Sequence, residues 1–310
     1  MAETEPQPPS TEASSPEGKK LLLEVEGLTI ERRLPDGEII RAPDAVSLWV
    51  NRGEILAIAG ERGSGKSAIA QALAGLPAPR SRIIHGEVLL EGESLLKTGR
   101  SRLRQIRRKR IAFLEPDPKA QFNPFITVRQ HLRETIRLAE RQSELADESE
   151  WSPIFYEVGI VEPEKVLDHL PDTLSPDLAL RIMLATALFA GVELLICNQA
   201  LTGVEPYTRT QVMNLLKQMR DERNLAILLT TDNLREIETV ADRAIVLFEG
   251  GIAEIGTPER ILKSPKCGYT RALIECIPRA GSDRARLGEI DTDALHEGRI
   301  AVHRNSSQTY

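Results

Sequence analysis

From Leu21 the chain alternates short apolar runs with polar breaks, and the runs carry two different periods. Leu21-Leu22-Leu23-Glu24-Val25 and Ala45-Val46-Ser47-Leu48-Trp49-Val50 read as strands, with Pro35-Asp36-Gly37 as a turn between them. Glu54–Ala59 reads as a further strand, and Ser67–Leu73 as a helix. Gly86–Leu90 and Ile111–Leu114 predict two more strands. The stretch from about Gln130 to Ala190 is mainly helical in pattern, with a polar break at Ser143–Ser152. Beyond it strands and helices alternate: Leu194–Cys197, a helix around Val212–Met219, Leu225–Leu229 and Ala244–Phe248. Val212, Leu215, Leu216 and Met219 fall at i, i+3, i+4 and i+7, one buried helical face serving as core. This alternation predicts an α/β fold around a parallel sheet covered on both faces. The helical block before Leu194 predicts a subdomain inserted into that sheet.

Composition changes this picture little. A hydrophobic share of 41% and a charged share of 28% are ordinary for a globular chain, and 310 residues suffice for one large domain or two smaller ones. The net charge of −6 gives no general reason to expect nucleic acid as a partner. Arg100–Arg110 is a local exception, read as a solvated helix face, with a phosphate-binding patch as the alternative. Cys197, Cys267 and Cys276 show no metal or redox spacing and fit a reduced cytosolic protein. No apolar run approaches the roughly 20 residues of a membrane span. Residues 1–20, rich in Pro, Ser and Glu, read as a disordered tail rather than a signal peptide.

Candidate chemistry enters at Gly60-Glu61-Arg62-Gly63-Ser64-Gly65-Lys66-Ser67, a full match to G-x-x-x-x-G-K-[ST] placed between the Glu54–Ala59 strand and the helix that continues through Ala68. Glycines let successive N–H groups point at phosphate oxygens, and the helix N-terminus adds the positive end of its dipole. Lys66 would reach the β- and γ-phosphates of ATP, and the Ser67 hydroxyl would ligate Mg²⁺. Yet the Leu194–Cys197 run ends in Asn198-Gln199, where a hydrolase of this kind needs two carboxylates.

With further motifs, the chain resembles the ATP-binding subunit of ABC transporters, in the peptide-importer branch. Asn123-Pro124 lies just after the Ile111–Leu114 strand, Gly250–Gly256 matches the family's closing hairpin, and Gly268–Leu273 with Ile277-Pro278-Arg279 is close to the peptide-importer C-terminal hallmark. Glu205–Gln211 looks most like the Sap-type subunit, associated with antimicrobial-peptide handling and putrescine export. The resemblance implies a P-loop core of ABC type with a mainly parallel sheet, an antiparallel β subdomain and an inserted helical subdomain at about 125–190. It covers 21–279, leaving 280–310 as a polar, cysteine-free and loosely ordered extension with no iron–sulfur site.

Against the family pattern, the chemical positions depart together. The Walker B Asp falls on Asn198, a weaker ligand for a divalent cation, and the water-polarising Glu falls on Gln199, which cannot accept a proton at neutral pH. The switch His aligns with Asp232, a carboxylate where the γ-phosphate is expected. The Q-loop Gln aligns with Pro116, and the adenine-stacking aromatic with Arg32, which can still stack on a base. The signature that faces a partner's nucleotide reads Leu174-Ser175-Pro176-Asp177-Leu178: Pro176 removes an N–H and Asp177 adds negative charge.

The resemblance therefore implies a subunit at the cytoplasmic face of the inner membrane that binds ATP and Mg²⁺ with weak or absent hydrolysis. Its expected partners are a second ABC ATPase chain, as a heterodimer, and transmembrane permease subunits. Two rival readings are an active ATPase in which Glu115, Asp117 or Glu205 substitutes as base, and a pseudo-ATPase scaffold or sensor outside transport.

Overall fold

A computed structural model of the chain describes residues 19–276 and 290–307. Most of the expected N-terminal tail, the Ile277–Arg279 motif and the start of the C-terminal extension lie outside the described residues. Strand β1 (Leu21–Arg33) turns through Pro35–Gly37 into β2 (Ile39–Arg41), followed by β3 (Val46–Asn51) and β4 (Ile55–Gly60). Next come α1 (Lys66–Leu73), β5 (Ser81–Leu90), β6 (Glu93–Ser94), α2 (Arg100–Lys109) and β7 (Ile111–Leu114). Helices α3 (Val128–Leu138), α4 (Ser152–Glu157), α5 (Glu164–Leu167) and α6 (Pro176–Ala190) separate β7 from β8 (Leu194–Asn198). The chain continues through α7 (Pro206–Arg223), β9 (Ala226–Thr231), α8 (Leu234–Val240), β10 (Arg243–Phe248) and β11 (Gly251–Gly256). It closes with α9 (Pro258–Lys263), α10 (Gly268–Glu275) and α11 (Thr292–Ser307).

The central six-stranded sheet has the order β11-β10-β4-β9-β8-β7, parallel throughout except for the β10–β11 hairpin. Its inner strands are apolar on both faces, as burial from both sides requires: every residue of β4, β8 and β9 is buried. Successive side chains point to opposite faces. Leu195 and Ile227 pack with α6 and α7, whereas Ile196 and Leu228 pack with α1 and the second sheet. That second sheet, β2-β1-β5-β6 with β3 on β1, is antiparallel. The mainly parallel core and antiparallel sheet implied by the sequence are thus present.

Differences have local causes. Strand β1 runs on to Arg33, well beyond Val25, because a register shift near Gly27 (φ 54°) realigns the chain instead of ending the pairing. The helical block is broken into short pieces. Only α3, with its Thr127/Gln130 capping box, and α6, which starts on Pro176 and stops at left-handed Gly191, are long. Trp151, Phe155 and Phe189 pack edge-to-face at its centre. The loosely ordered C-terminus expected from sequence is corrected: 292–307 form helix α11, which packs on β11 and α10. Its apolar stripe of Leu295, Ala301 and Val302 is thin and interrupted by Gly298, so periodicity alone gives little signal.

An ion cluster ties the two sheets together: Arg52 and Arg110 share Glu91 and Glu193, with the Arg110 contacts at 2.6 Å. The guanidinium of Arg52 foremost holds the Glu91 carboxyl down to about 2. A carboxyl held below its unfolded value of about 4.5 contributes stability above that pH and loses it as pH falls toward 2. Thermal unfolding should show Tm falling between pH 5 and pH 3, and Glu91→Gln should flatten that fall. Phe189→Ala, which opens the centre of the helical core, should cost about 3–5 kcal/mol by urea denaturation.

Candidate functional site

Strands β4, β9 and β8 end side by side, with Ala59 level with Thr231 and Asn198 level with Thr230. In open parallel sheets, ligands bind at these carboxyl ends. The Gly60–Ser67 segment leaves β4 here and enters α1, whose Gly65 N-cap (φ 99°) supplies no side-chain hydrogen bond. The first-turn amides are therefore left for another acceptor. A Cβ at Gly65 would stand 3.2 Å from the Ala42–Pro43 backbone, a tight approach, and the positive φ of 99° favours glycine there.

Lys66 is 2% exposed, and its ammonium donates to the carbonyls of Gly60 (3.0 Å) and Glu61 (2.9 Å). Burial foremost lowers its pKa, opposed by the charge of Asp232. Ser64 Oγ is buried without a partner, an orphan hydroxyl inside the loop. Ser67 and Ala68 are half-buried in the first turn, and Glu61, Arg62 and Gly63 are exposed. This donor set suits a polyphosphate.

At the end of β8 the pattern is amide, not carboxylate. Thr230 Oγ1 donates to Asn198 Oδ1 (3.1 Å) and accepts from the Gln199 N–H (3.0 Å). Gln199 itself takes a left-handed backbone, φ 53°. Asn198, 4% exposed, thus spends its side-chain oxygen on a neighbouring strand. For Mg²⁺ the protein offers the Ser67 hydroxyl and this engaged amide, a poor fit unless the nucleotide supplies most of the oxygens. Among the described residues no group of three or more His, Cys, Asp or Glu is arranged to hold a metal.

Asp232 follows β9 and is exposed, close enough to Lys66 to attract its charge. Behind it lies a network that sequence reading missed. Buried Glu236 accepts from Thr231 Oγ1 (2.5 Å) and pairs with Arg209 (3.3 Å), while burial raises its pKa. Its only sequence signal is a carboxylate on the buried side of a short helix. Pro116 is exposed in the loop after β7, where Gln121 closes the turn by bonding the Phe113 carbonyl (2.8 Å) and the Glu115 amide (2.9 Å). Of the carboxylates weighed as substitute bases, Asp117 accepts the Lys119 amide in its own turn, Glu115 is half-buried and Glu205 is exposed before α7.

Leu174–Leu178 stands apart; among the described residues no hydrogen bond or ion pair joins it to the phosphate loop. Ser175 caps α6 by accepting the Leu178 amide (3.2 Å), and Pro176 occupies the first helical position, where a missing N–H costs the helix nothing. Asp177 is paired with Arg181 (3.1 Å), which offsets part of the charge added at this helix start. Leu174 is buried beneath. Arg32 is exposed on β1, level with Ile40 and Ser81. Two residues away, Ile30 pairs with Ala42 and Pro43, which abut Gly65.

The family model for ABC transporters matches residues 43–202. This chain belongs to the ABC transporter family. It is 33% identical over 258 residues to the oligopeptide transport ATP-binding protein OppD of Bacillus subtilis, covering 83% of this chain and 72% of that protein. It is 30% identical to OppD of Haemophilus influenzae (86% and 82% covered) and 31% identical to the dipeptide transport ATP-binding protein DppD of B. subtilis (82% and 76%). The ABC fold recurs in the dimeric cassette MJ0796 bound to ADP and Pi, with TM-score 0.64 and 21% identity over 76% of this chain and 99% of that one. It recurs also in cbiO1 from Clostridium perfringens, with TM-score 0.66 and 22% identity over 82% and 96%.

If Lys66 anchors phosphate, Lys66→Ala should weaken binding of a fluorescent ADP by roughly a hundredfold while leaving the circular dichroism spectrum intact.

Proposed function

We propose that the chain is the ATP-binding subunit of a peptide-type ABC transporter whose own phosphate loop holds nucleotide with weak or absent hydrolysis. The peptide assignment rests on its likeness to oligopeptide and dipeptide transport ATP-binding proteins. The observation that carries the silent-site reading is the Thr230 hydroxyl bridging Asn198 and Gln199. It commits the end of β8 to strand pairing with neutral side chains, so no carboxylate there accepts a proton or draws in Mg²⁺. Asp232 adds negative charge where a γ-phosphate would rest, against the same Lys66.

The partner expected for such a site is a second, ordinary ATPase chain in a head-to-tail heterodimer. The partner's nucleotide would meet Ser175 already spent as a helix cap and Asp177 tempered by Arg181. Permease subunits would complete the assembly. A 250 Å³ cleft between β7, α3 and α6, with Arg107 and Arg108 on its rim and Leu138 and Met183 in its wall, suits an apolar permease segment. Among the described residues no helix is long and apolar enough to cross a membrane. On this reading the subunit lies at the cytoplasmic face of the inner membrane, held there by its permease partners, with Sap-type cargo as the finer assignment.

Purified protein should bind ATP with Mg²⁺ yet hydrolyse it near background, insensitive to Gln199→Ala. Restoring both carboxylates, Asn198→Asp with Gln199→Glu, should raise turnover about a hundredfold or more if the lost base is the main deficit. Brisk wild-type turnover, or no gain from restoration, would sink the silent-site reading.

A further inference from the structure

A buried side chain of helix α10 reaches the phosphate loop. Tyr269, at the start of α10, is 0% exposed, and its hydroxyl donates to Glu61 Oε2 at 3.2 Å. Glu61 is thereby divided: its carbonyl takes the Lys66 ammonium, and its carboxylate is turned to Tyr269. Among the described residues Lys66 forms no ion pair with any carboxylate within 4.0 Å. Loss of the Tyr269 hydroxyl frees an anion beside Lys66, where it competes with phosphate.

Tyr269 is itself held from behind. Its ring lies on Phe248, centroids 4.2 Å apart, and α11 crosses both rings at a glycine. A Cβ at Gly298 would stand 2.9 Å from Phe248 Cδ1 and 3.0 Å from Tyr269 Cβ, so the helix sits as close as a backbone can. Two more contacts of the same kind, Gly251 under Val302 and Gly268 under Glu297, set the helix along β11 and α10. Arg299 grips Glu249 with two bonds (2.8 and 2.9 Å), and Asn305 donates to the Ile252 carbonyl (2.7 Å).

We propose that Tyr269, seated by helix α11, is a positioning residue for the phosphate loop: it holds the Glu61 carboxylate clear of Lys66 so that the cradle stays open to nucleotide phosphate. The inference rests on the nucleotide-holding reading above and extends it to the C-terminal helix.

The test is titration of the full-length protein with fluorescent ADP. Tyr269→Phe, which removes one oxygen, should weaken binding about five- to tenfold. Glu61→Gln should strengthen it about two- to threefold by removing the competing charge. The double variant should bind like Glu61→Gln alone, because without the carboxylate there is nothing left to hold. Gly298→Leu, which pushes α11 off the rings, should weaken binding in the same direction and be rescued by Glu61→Gln. Unaltered binding by Tyr269→Phe, or a double variant as weak as Tyr269→Phe, overturns the proposal and leaves Tyr269 a packing residue. A wild-type protein that binds no ADP overturns the nucleotide-holding reading, and this inference with it.

Discussion

Lys66 places a full positive charge at a point only 2% exposed and supplies it with two carbonyl oxygens and, among the described residues, no carboxylate within ion-pair distance. A buried ammonium in that state is under-satisfied, and burial alone pulls its pKa down. The surroundings follow from this. The amides at the start of α1 lack a side-chain cap, Ser64 Oγ lacks a partner, and the Glu61 carboxylate is tied to Tyr269. The α1 amides, Ser64 Oγ and the Lys66 ammonium are donors that an anion at the ends of β4 and β9 would complete. The loop is built to receive phosphate, independently of what happens to the phosphate afterwards.

What happens afterwards depends on the strand ends beside it, and there the charge pattern is inverted. On the proposed reading, Asn198 and Gln199 are neutral where hydrolysis calls for carboxylates, and Asp232 is a carboxylate where a neutral or cationic donor is expected. The Thr230 hydroxyl links the two residues, donating to Asn198 Oδ1 and accepting from the Gln199 N–H. On the proposed reading, such a site would favour retention over turnover. At α6, Ser175, Pro176 and Asp177 together make a good helix start.

Much of this was legible because it is local. The strand–loop–helix of Ile55–Leu73 is one continuous segment, so spacing and burial pattern suffice to place Lys66 and Ser67. The neutral and inverted residues at Asn198, Gln199 and Asp232 were readable as residue types at expected offsets. The helical block was legible as a block but not in its pieces, because short helices are decided by packing around Trp151, Phe155 and Phe189 rather than by propensity. Helix α11 was missed because close packing through Gly298 replaces the bulky stripe that periodicity detects.

The amino-acid sequence by itself determined the phosphate loop, the parallel-sheet core and the absence of carboxylates at 198 and 199, since each is a property of neighbouring residues. Only the tertiary structure decided how those groups are used. Asn198 meets Thr230 across 32 positions, and Glu61 meets Tyr269 across 208. The first pair is brought together by strands adjacent in the sheet, and the second by packing of helix α10 beside the phosphate loop. No periodicity within one segment encodes which side chain waits at the end of the next strand.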